Sequence, residues 1–75
     1  MTELTIRLDT IDKVKHFSHL MLLCPCEADL LAERYVINAK SIMGIFSLDL
    51  SRPLTMRIYG EPDGELLQAL APYRI

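Results

Sequence analysis

The chain has 75 residues, of which 51% are hydrophobic and 24% are charged, and its formal net charge at pH 7 is −2. This length and composition predict one folded domain over residues 1–75. Lysine and arginine residues are scattered along it, so no basic face is expected to bind nucleic acid. Because the longest apolar run, Leu20 to Cys26, is too short to cross a bilayer and Met1-Thr2-Glu3 does not begin a signal peptide, we expect a cytoplasmic protein without membrane contact.

The first strand and the first helix are predicted from local patterns. Apolar and polar residues alternate from position 4 to position 8, which is typical of a half-buried strand. Asp9 and Thr10 then offer N-cap oxygens for a helix that runs to about Leu23, since Pro25 prevents its continuation. We expect its apolar side to contain Ile11, Val14, Phe17, Leu20 and Met21, with Asp12, Lys13, Lys15, His16 and His19 facing outward.

The rest of the chain alternates short strands and short helices. Strands are predicted at 28–32 and 35–38, joined by a tight connection, and a helix from Ile42 to Leu48 begins after Ser41. A fourth strand is predicted from the alternation at 54–59, and a last short helix is predicted between Pro62, in its first turn, and Pro72. The order β-α-β-β-α-β-α, with one apolar side on each helix, favours an α+β open-faced sandwich.

Ser41 lies in the segment with the most specific pattern. The run Asn38-Ala39-Lys40-Ser41-Ile42-Met43-Gly44, followed by Ser47 and Leu48, resembles the regulatory-serine region of HPr, the histidine-containing phosphocarrier protein of the bacterial sugar phosphotransferase system. The resemblance implies a four-stranded antiparallel sheet covered on one face by helices. It also implies that Ser41 matches a serine phosphorylated by a dedicated kinase. The alternative is that Ser41 only caps its helix, which requires no kinase.

The helix after Ser41 contains more apolar residues than a two-turn helix can bury on one side, so some must face solvent or a partner. The HPr resemblance assigns Ile42, Met43 and Phe46 to a patch that docks onto other proteins, such as phosphotransferase-system proteins or an HPr kinase. The alternative is that a small domain simply exposes a few hydrophobic residues.

The phosphohistidine motif of HPr is missing from the start of the first helix. Aligned without gaps from Ser41, Thr10 falls at the histidine position and Asp12 at the arginine position. Two acids, Asp9 and Asp12, would repel an incoming phosphate. His16 is the nearest substitute acceptor, but it lies about 9 Å further along the helix, where no backbone N–H is free. We therefore expect no catalytic residue and keep His16 as an alternative phosphate acceptor.

The histidines and cysteines are clustered in one part of the sequence. Two nitrogen and two sulfur donors could bind zinc, and the four are His16, His19, Cys24 and Cys26. However, the cysteines are separated by one residue, and their side chains would have to turn back towards the helix. A metal-binding module thus stays an alternative. We expect free thiols, no metal and no cofactor. No Gly-rich phosphate loop or catalytic triad is present, so an enzyme is not expected.

The leading interpretation is an HPr-like protein without the usual phosphohistidine site, acting as a regulatory or protein-binding module. The chain is shorter than typical HPr, mainly in its final helix. A short final helix would leave part of the sheet face exposed or paired with another subunit, so a homo-oligomer is also considered.

Overall fold

The structure, a computed structural model, describes all residues 1–75 and confirms the predicted order of elements. The strands are β1 (Thr2–Ile6), β2 (Glu27–Ala32), β3 (Tyr35–Asn38) and β4 (Leu54–Tyr59). The helices are α1 (Ile11–Leu23), α2 (Ile42–Phe46) and α3 (Gly64–Leu70), followed by a 3-10 turn at Ala71–Tyr73. None of the helices is both long and apolar enough to cross a membrane.

The four strands form one antiparallel sheet in the order β1-β4-β2-β3. One face is apolar and covered by the helices: it contributes buried side chains such as Leu4, Leu30 and Met56. Residues two positions apart share a face, so Glu3 and Arg57, which lie opposite each other, belong to the other face, which no helix covers. The fold is therefore an α+β open-faced sandwich.

Burial on α1 corrects part of the sequence prediction. Val14, Phe17 and Met21 are fully buried in the core, as expected. Ile11, predicted on the same side, is 64% exposed. Ser18 is buried instead, since a three- and four-residue spacing places it on the same stripe as Val14 and Met21.

Several element ends also differ from the prediction, and β1 spans Thr2–Ile6 rather than positions 4 to 8. α2 ends at Phe46 rather than Leu48, because Ser47 donates its N–H to the carbonyls of Gly44 and Ile45 and closes the helix. α3 is capped by Asp63, whose carboxylate accepts the N–H of Leu66 at 2.8 Å, so Pro62 precedes the cap instead of occupying the first turn. Pro72 lies inside the 3-10 turn.

Candidate functional site

Ser41 is the N-cap of α2, as predicted. Its backbone is extended, with φ −95° and ψ 98°, and its Oγ accepts the N–H of Gly44 at 3.2 Å. The residue is exposed, and its hydroxyl donates to no other group of the protein. Ser41 Oγ therefore stabilises the helix as an acceptor while staying accessible from solvent.

Gly44 allows α2 to approach both Ser41 and β3. A Cβ at this position would lie 3.1 Å from Ser41 Oγ and 3.4 Å from Ile37 Cδ1. The 3.1 Å distance is tighter than ordinary van der Waals contact, whereas 3.4 Å lies at its lower limit, so a side chain here would press mainly against the Ser41 cap. The glycine thus fixes how closely the serine, the helix and the sheet pack together.

Three apolar side chains of α2 point away from the core. Ile42 is 40% exposed, Met43 79% and Phe46 42%, whereas Ile45 is completely buried. Ile42 and Phe46 are four residues apart and therefore lie on the same helix face, with Met43 beside them. We call these three residues the α2 patch. The exposure predicted from the sequence is confirmed, and Ser41 directly precedes the patch in the chain.

Lys40 places a positive charge next to Ser41 in sequence, but this charge also lies near the carboxylate of Glu27. Its Nζ lies 3.9 Å from Glu27 Oε1 and its side chain is half-buried. Its backbone N–H donates to Asn38 Oδ1 at 2.8 Å, which fixes the turn before the cap. The serine therefore follows a rigid, hydrogen-bonded turn rather than a loose loop.

The N-terminus of α1 is where the phosphohistidine site would be expected. Thr10 caps the helix, as predicted, and its Oγ1 accepts the N–H of Lys13 at 3.1 Å. Lys13 Nζ also pairs with Asp9 Oδ1 at 2.9 Å. This hydrogen bond is the main reason why the pKa of Asp9 is lowered, with a smaller contribution from Arg7.

Two basic residues, Lys13 and Arg7, also lie close to this end of α1 and were not assigned a role there by the sequence. Lys13 follows Asp9 by four residues, so their pairing could have been predicted from the sequence. Arg7 lies after β1, and its Nε is buried without a hydrogen-bond partner. No local sequence signal predicts that placement. The charge of Asp9 is thus partly balanced by Lys13, and the acids dominate this end of the helix less than expected.

The four candidate metal ligands are not brought together. His16 and His19 are exposed on α1, whereas Cys24 is buried after the helix and Cys26 is half-buried. No three His, Cys, Asp or Glu side chains lie close enough to hold one metal ion. Both thiols are free, and the N–H of Cys26 donates to Cys24 Sγ at 3.4 Å. Burial, followed by the neighbouring Cys24, raises the pKa of the Cys26 thiol.

Comparisons with known proteins identify the fold. No protein-family model matches the sequence, and no curated protein sequence matches it. Among solved structures, HPr-C-His from Thermoanaerobacter tengcongensis aligns with a TM-score of 0.78 and 25% identity, covering 96% of this chain and 89% of that one. The phosphocarrier protein HPr from Bacillus anthracis str. Ames aligns with a TM-score of 0.75 and 25% identity, covering 99% and 94%. The chain therefore has an HPr-like fold.

Proposed function

We propose that this protein is a cytoplasmic, regulatory protein-binding module related to the sugar phosphotransferase system. In this proposal the α2 patch is the contact surface and Ser41 is a phosphorylation switch. The exposure of Ile42, Met43 and Phe46 beside the Ser41 cap is the observation that carries the proposal. The HPr-like fold supports partners drawn from phosphotransferase-system proteins and HPr kinases.

The α2 patch has the features of a small docking surface. Its apolar side chains sit on a short helix whose own anchor, Ile45, is buried, so the backbone beneath the patch is held in place. Fully burying an exposed apolar side chain contributes about 1.5–3 kcal/mol, and Ile42 and Phe46, which are 40% and 42% exposed, would contribute less than Met43 in proportion to their exposure. Three neighbouring side chains could therefore supply much of the energy of a transient protein contact. A partner with a complementary apolar groove fits this surface best.

A phosphate on Ser41 would change the patch without unfolding the domain. It adds nearly two negative charges directly before Ile42. An apolar partner surface would then have to desolvate this charge, and the cost of desolvation weakens docking. The phosphate oxygens could still accept the N–H of Gly44, and Lys40 lies next in the chain, so α2 is expected to stay folded. Phosphorylation would thus alter affinity rather than stability.

A regulatory role fits this chain better than a phosphocarrier role. Thr10 occupies the cap of α1, and the two histidines of the chain lie six and nine residues further along. The backbone N–H groups without helical partners are confined to the first turn. An imidazole at position 16 or 19 therefore lacks the amide donors that would stabilise a phosphoryl group at the helix start.

The contact surface is tested by NMR titration of the ¹⁵N-labelled protein with enzyme I of the phosphotransferase system and with an HPr kinase. The proposal expects shifts concentrated between Ser41 and Leu48. Shifts confined to α3 or to the open sheet face, or no shifts with either protein, would overturn the assignment of the surface.

The switch is tested separately by incubation with HPr kinase and ATP, followed by mass spectrometry. One phosphate is expected on Ser41. The Ser41→Ala variant should lose it, whereas Ser47→Ala, which alters the other hydroxyl of the same helix, should keep it. An unmodified wild-type protein would refute the switch and leave the contact surface to be judged by the titration.

A further inference from the structure

The two edge strands of the sheet, β1 and β3, differ in whether another part of the chain pairs with them. At β1, the C-terminal residues add a short antiparallel stretch, in which Arg74 pairs with Ile6. Arg7 donates its N–H to the carbonyl of Tyr73 at 2.8 Å, and Ile75 donates to the carbonyl of Thr5 at 3.1 Å. The backbone groups at this end of β1 are therefore satisfied, and another strand cannot pair there.

At the opposite edge, β3 has no such cover. Ala39 donates its N–H to the carbonyl of Ala28, directly opposite in the register, at 2.9 Å. Hydrogen-bonded and non-hydrogen-bonded pairs alternate in an antiparallel ladder, so the N–H and C=O of Val36 point away from β2. The Asn38 N–H points the same way, while its carbonyl accepts Ser41 N–H at 2.9 Å. β3 thus presents free backbone donors and acceptors to solvent.

The side chains of β3 do not protect this edge. Edge strands are usually guarded by lysines, prolines, bulges or inward-pointing charges. Residues 35–38 include no proline and no charged residue, and their register with β2 is continuous. Instead, Tyr35 is 66% exposed and Val36 61%. A bare edge with exposed apolar side chains is suited to pairing with another strand.

We propose that β3 pairs with β3 of a second copy of this chain, antiparallel, around a two-fold axis that passes between the two Val36 residues. Each Val36 then donates its N–H to the carbonyl of Val36 in the second copy, and each Asn38 N–H meets the carbonyl of Arg34. The two sheets join into one of eight strands. The edge complements itself because Val36 provides both a free donor and a free acceptor.

The side chains favour this register over its neighbours. Around Val36, the two valines meet on the open sheet face, Tyr35 lies opposite Ile37 on the helix side, and Arg34 lies opposite Asn38. Moving the axis to Ile37 would set Arg34 opposite Lys40 of the second copy, and like charges directly opposite are destabilising. Moving it to Tyr35 would set Arg34 opposite Val36. The arrangement centred on Val36 avoids both of these pairings and sets Val36 opposite Val36 and Tyr35 opposite Ile37.

A four-residue strand makes a small interface. Interfaces below about 1,200 Å² belong to weak, transient complexes. The dimer is therefore expected to form in a concentration-dependent manner and to exchange quickly with the monomer. It does not depend on the proposed role of the α2 patch, because its hydrogen bonds come from the β3 backbone.

Sedimentation velocity from micromolar to millimolar protein tests this proposal. The wild type should shift from 8.6 kDa towards twice that mass as concentration rises. Val36→Lys should stay monomeric, with its fold checked by circular dichroism. Leu22→Lys, which alters an equally exposed apolar residue on α1, should dimerise like the wild type. A wild type that stays monomeric throughout, or a folded Val36→Lys variant that dimerises equally well, would overturn the proposal.

Hydrogen exchange of the Val36 amide gives a second measurement that needs no variant. In the dimer this N–H is hydrogen-bonded across the edge, so its exchange should slow as protein concentration increases. An exchange rate independent of concentration in a sample that does dimerise would place the interface elsewhere and refute the β3 pairing.

Discussion

The Oγ of Ser41 accepts the N–H of Gly44 at 3.2 Å, so the N-cap of α2 and the exposed apolar patch share one helical turn. A change at the hydroxyl therefore acts on helix stability, through the cap, and on the surface, through the adjacent side chains. The effect on the cap and the effect on the surface can be separated, because Ser41→Ala removes the cap without adding a charge, whereas Ser41→Asp keeps the cap and adds one.

Ser41→Ala should lower the free energy of unfolding by about 1 kcal/mol, since alanine cannot accept the Gly44 N–H. Ser41→Asp should be nearly as stable as the wild type, because a carboxylate is an equally good cap. Urea unfolding curves measure both. Thr10→Ala, which removes the corresponding cap of α1, is the matched control and should lose a similar amount. A Ser41→Ala variant as stable as the wild type would show that the cap contributes little.

Ser18→Ala should stabilise the protein. Ser18 Oγ is buried on α1 and has no hydrogen-bond partner. An unsatisfied buried polar group costs about 1–3 kcal/mol, and alanine is also the better helix former. We expect a gain of about 1 kcal/mol in thermal or urea unfolding. The control is Ser47→Ala, which removes a hydroxyl that donates to the Gly44 carbonyl at 2.6 Å and should not stabilise. Destabilisation by Ser18→Ala would mean that the hydroxyl has a partner.

Stability should decrease in acid partly through Asp9 and Asp49. Hydrogen bonds from Lys13 lower the pKa of Asp9, and those from Ser51 lower the pKa of Asp49, below the ordinary value of 3.8. Because both folded-state pKa values are lowered, the two carboxylates stabilise the folded protein above pH 3.8. This stabilisation is lost as the pH falls through the folded-state pKa values. When the free energy of unfolding is measured as a function of pH, Asp9→Asn should lose less stability in acid than the wild type does. Identical profiles would contradict the Asp9 contribution.

Incubation with phosphoenolpyruvate and enzyme I should leave the protein unlabelled. His16 and His19 are exposed on α1 beyond the first turn, where the helix offers no free amide to a phosphoryl group. Electrophoresis under conditions that preserve phosphohistidine measures transfer, with an HPr that carries the usual motif as the positive control. A phosphate on the wild type that disappears in His16→Ala would instead establish His16 as the acceptor.

Local signals predicted most of the fold. The β4 strand and the Thr10 cap before α1 follow from the sequence, because alternation and caps depend on neighbouring residues. The exposure of Ile11 could not be found in this way, because burial depends on tertiary packing as well as on helical spacing. The pairing of Arg74 with Ile6 was missed for the same reason, since it joins opposite ends of the chain.

The candidate site was predicted to a similar extent. The Ser41 cap and the exposure of the α2 patch follow from the sequence, because the four apolar side chains of so short a helix cannot all face inward. The placement of Arg7 and the separation of the histidines from the cysteines required the tertiary structure. The use of Ser41 and the patch by a partner stays a prediction.

The affinity of enzyme I for Met43→Asp, compared with Leu22→Asp, tests the central proposal most directly. Both substitutions place a carboxylate at a strongly exposed apolar position, one within the α2 patch and one on α1. Isothermal titration calorimetry should show binding at least tenfold weaker for Met43→Asp, equivalent to about 1.4 kcal/mol, and unchanged for Leu22→Asp. Wild-type affinity in Met43→Asp, or an equal loss in both variants, would contradict docking through α2.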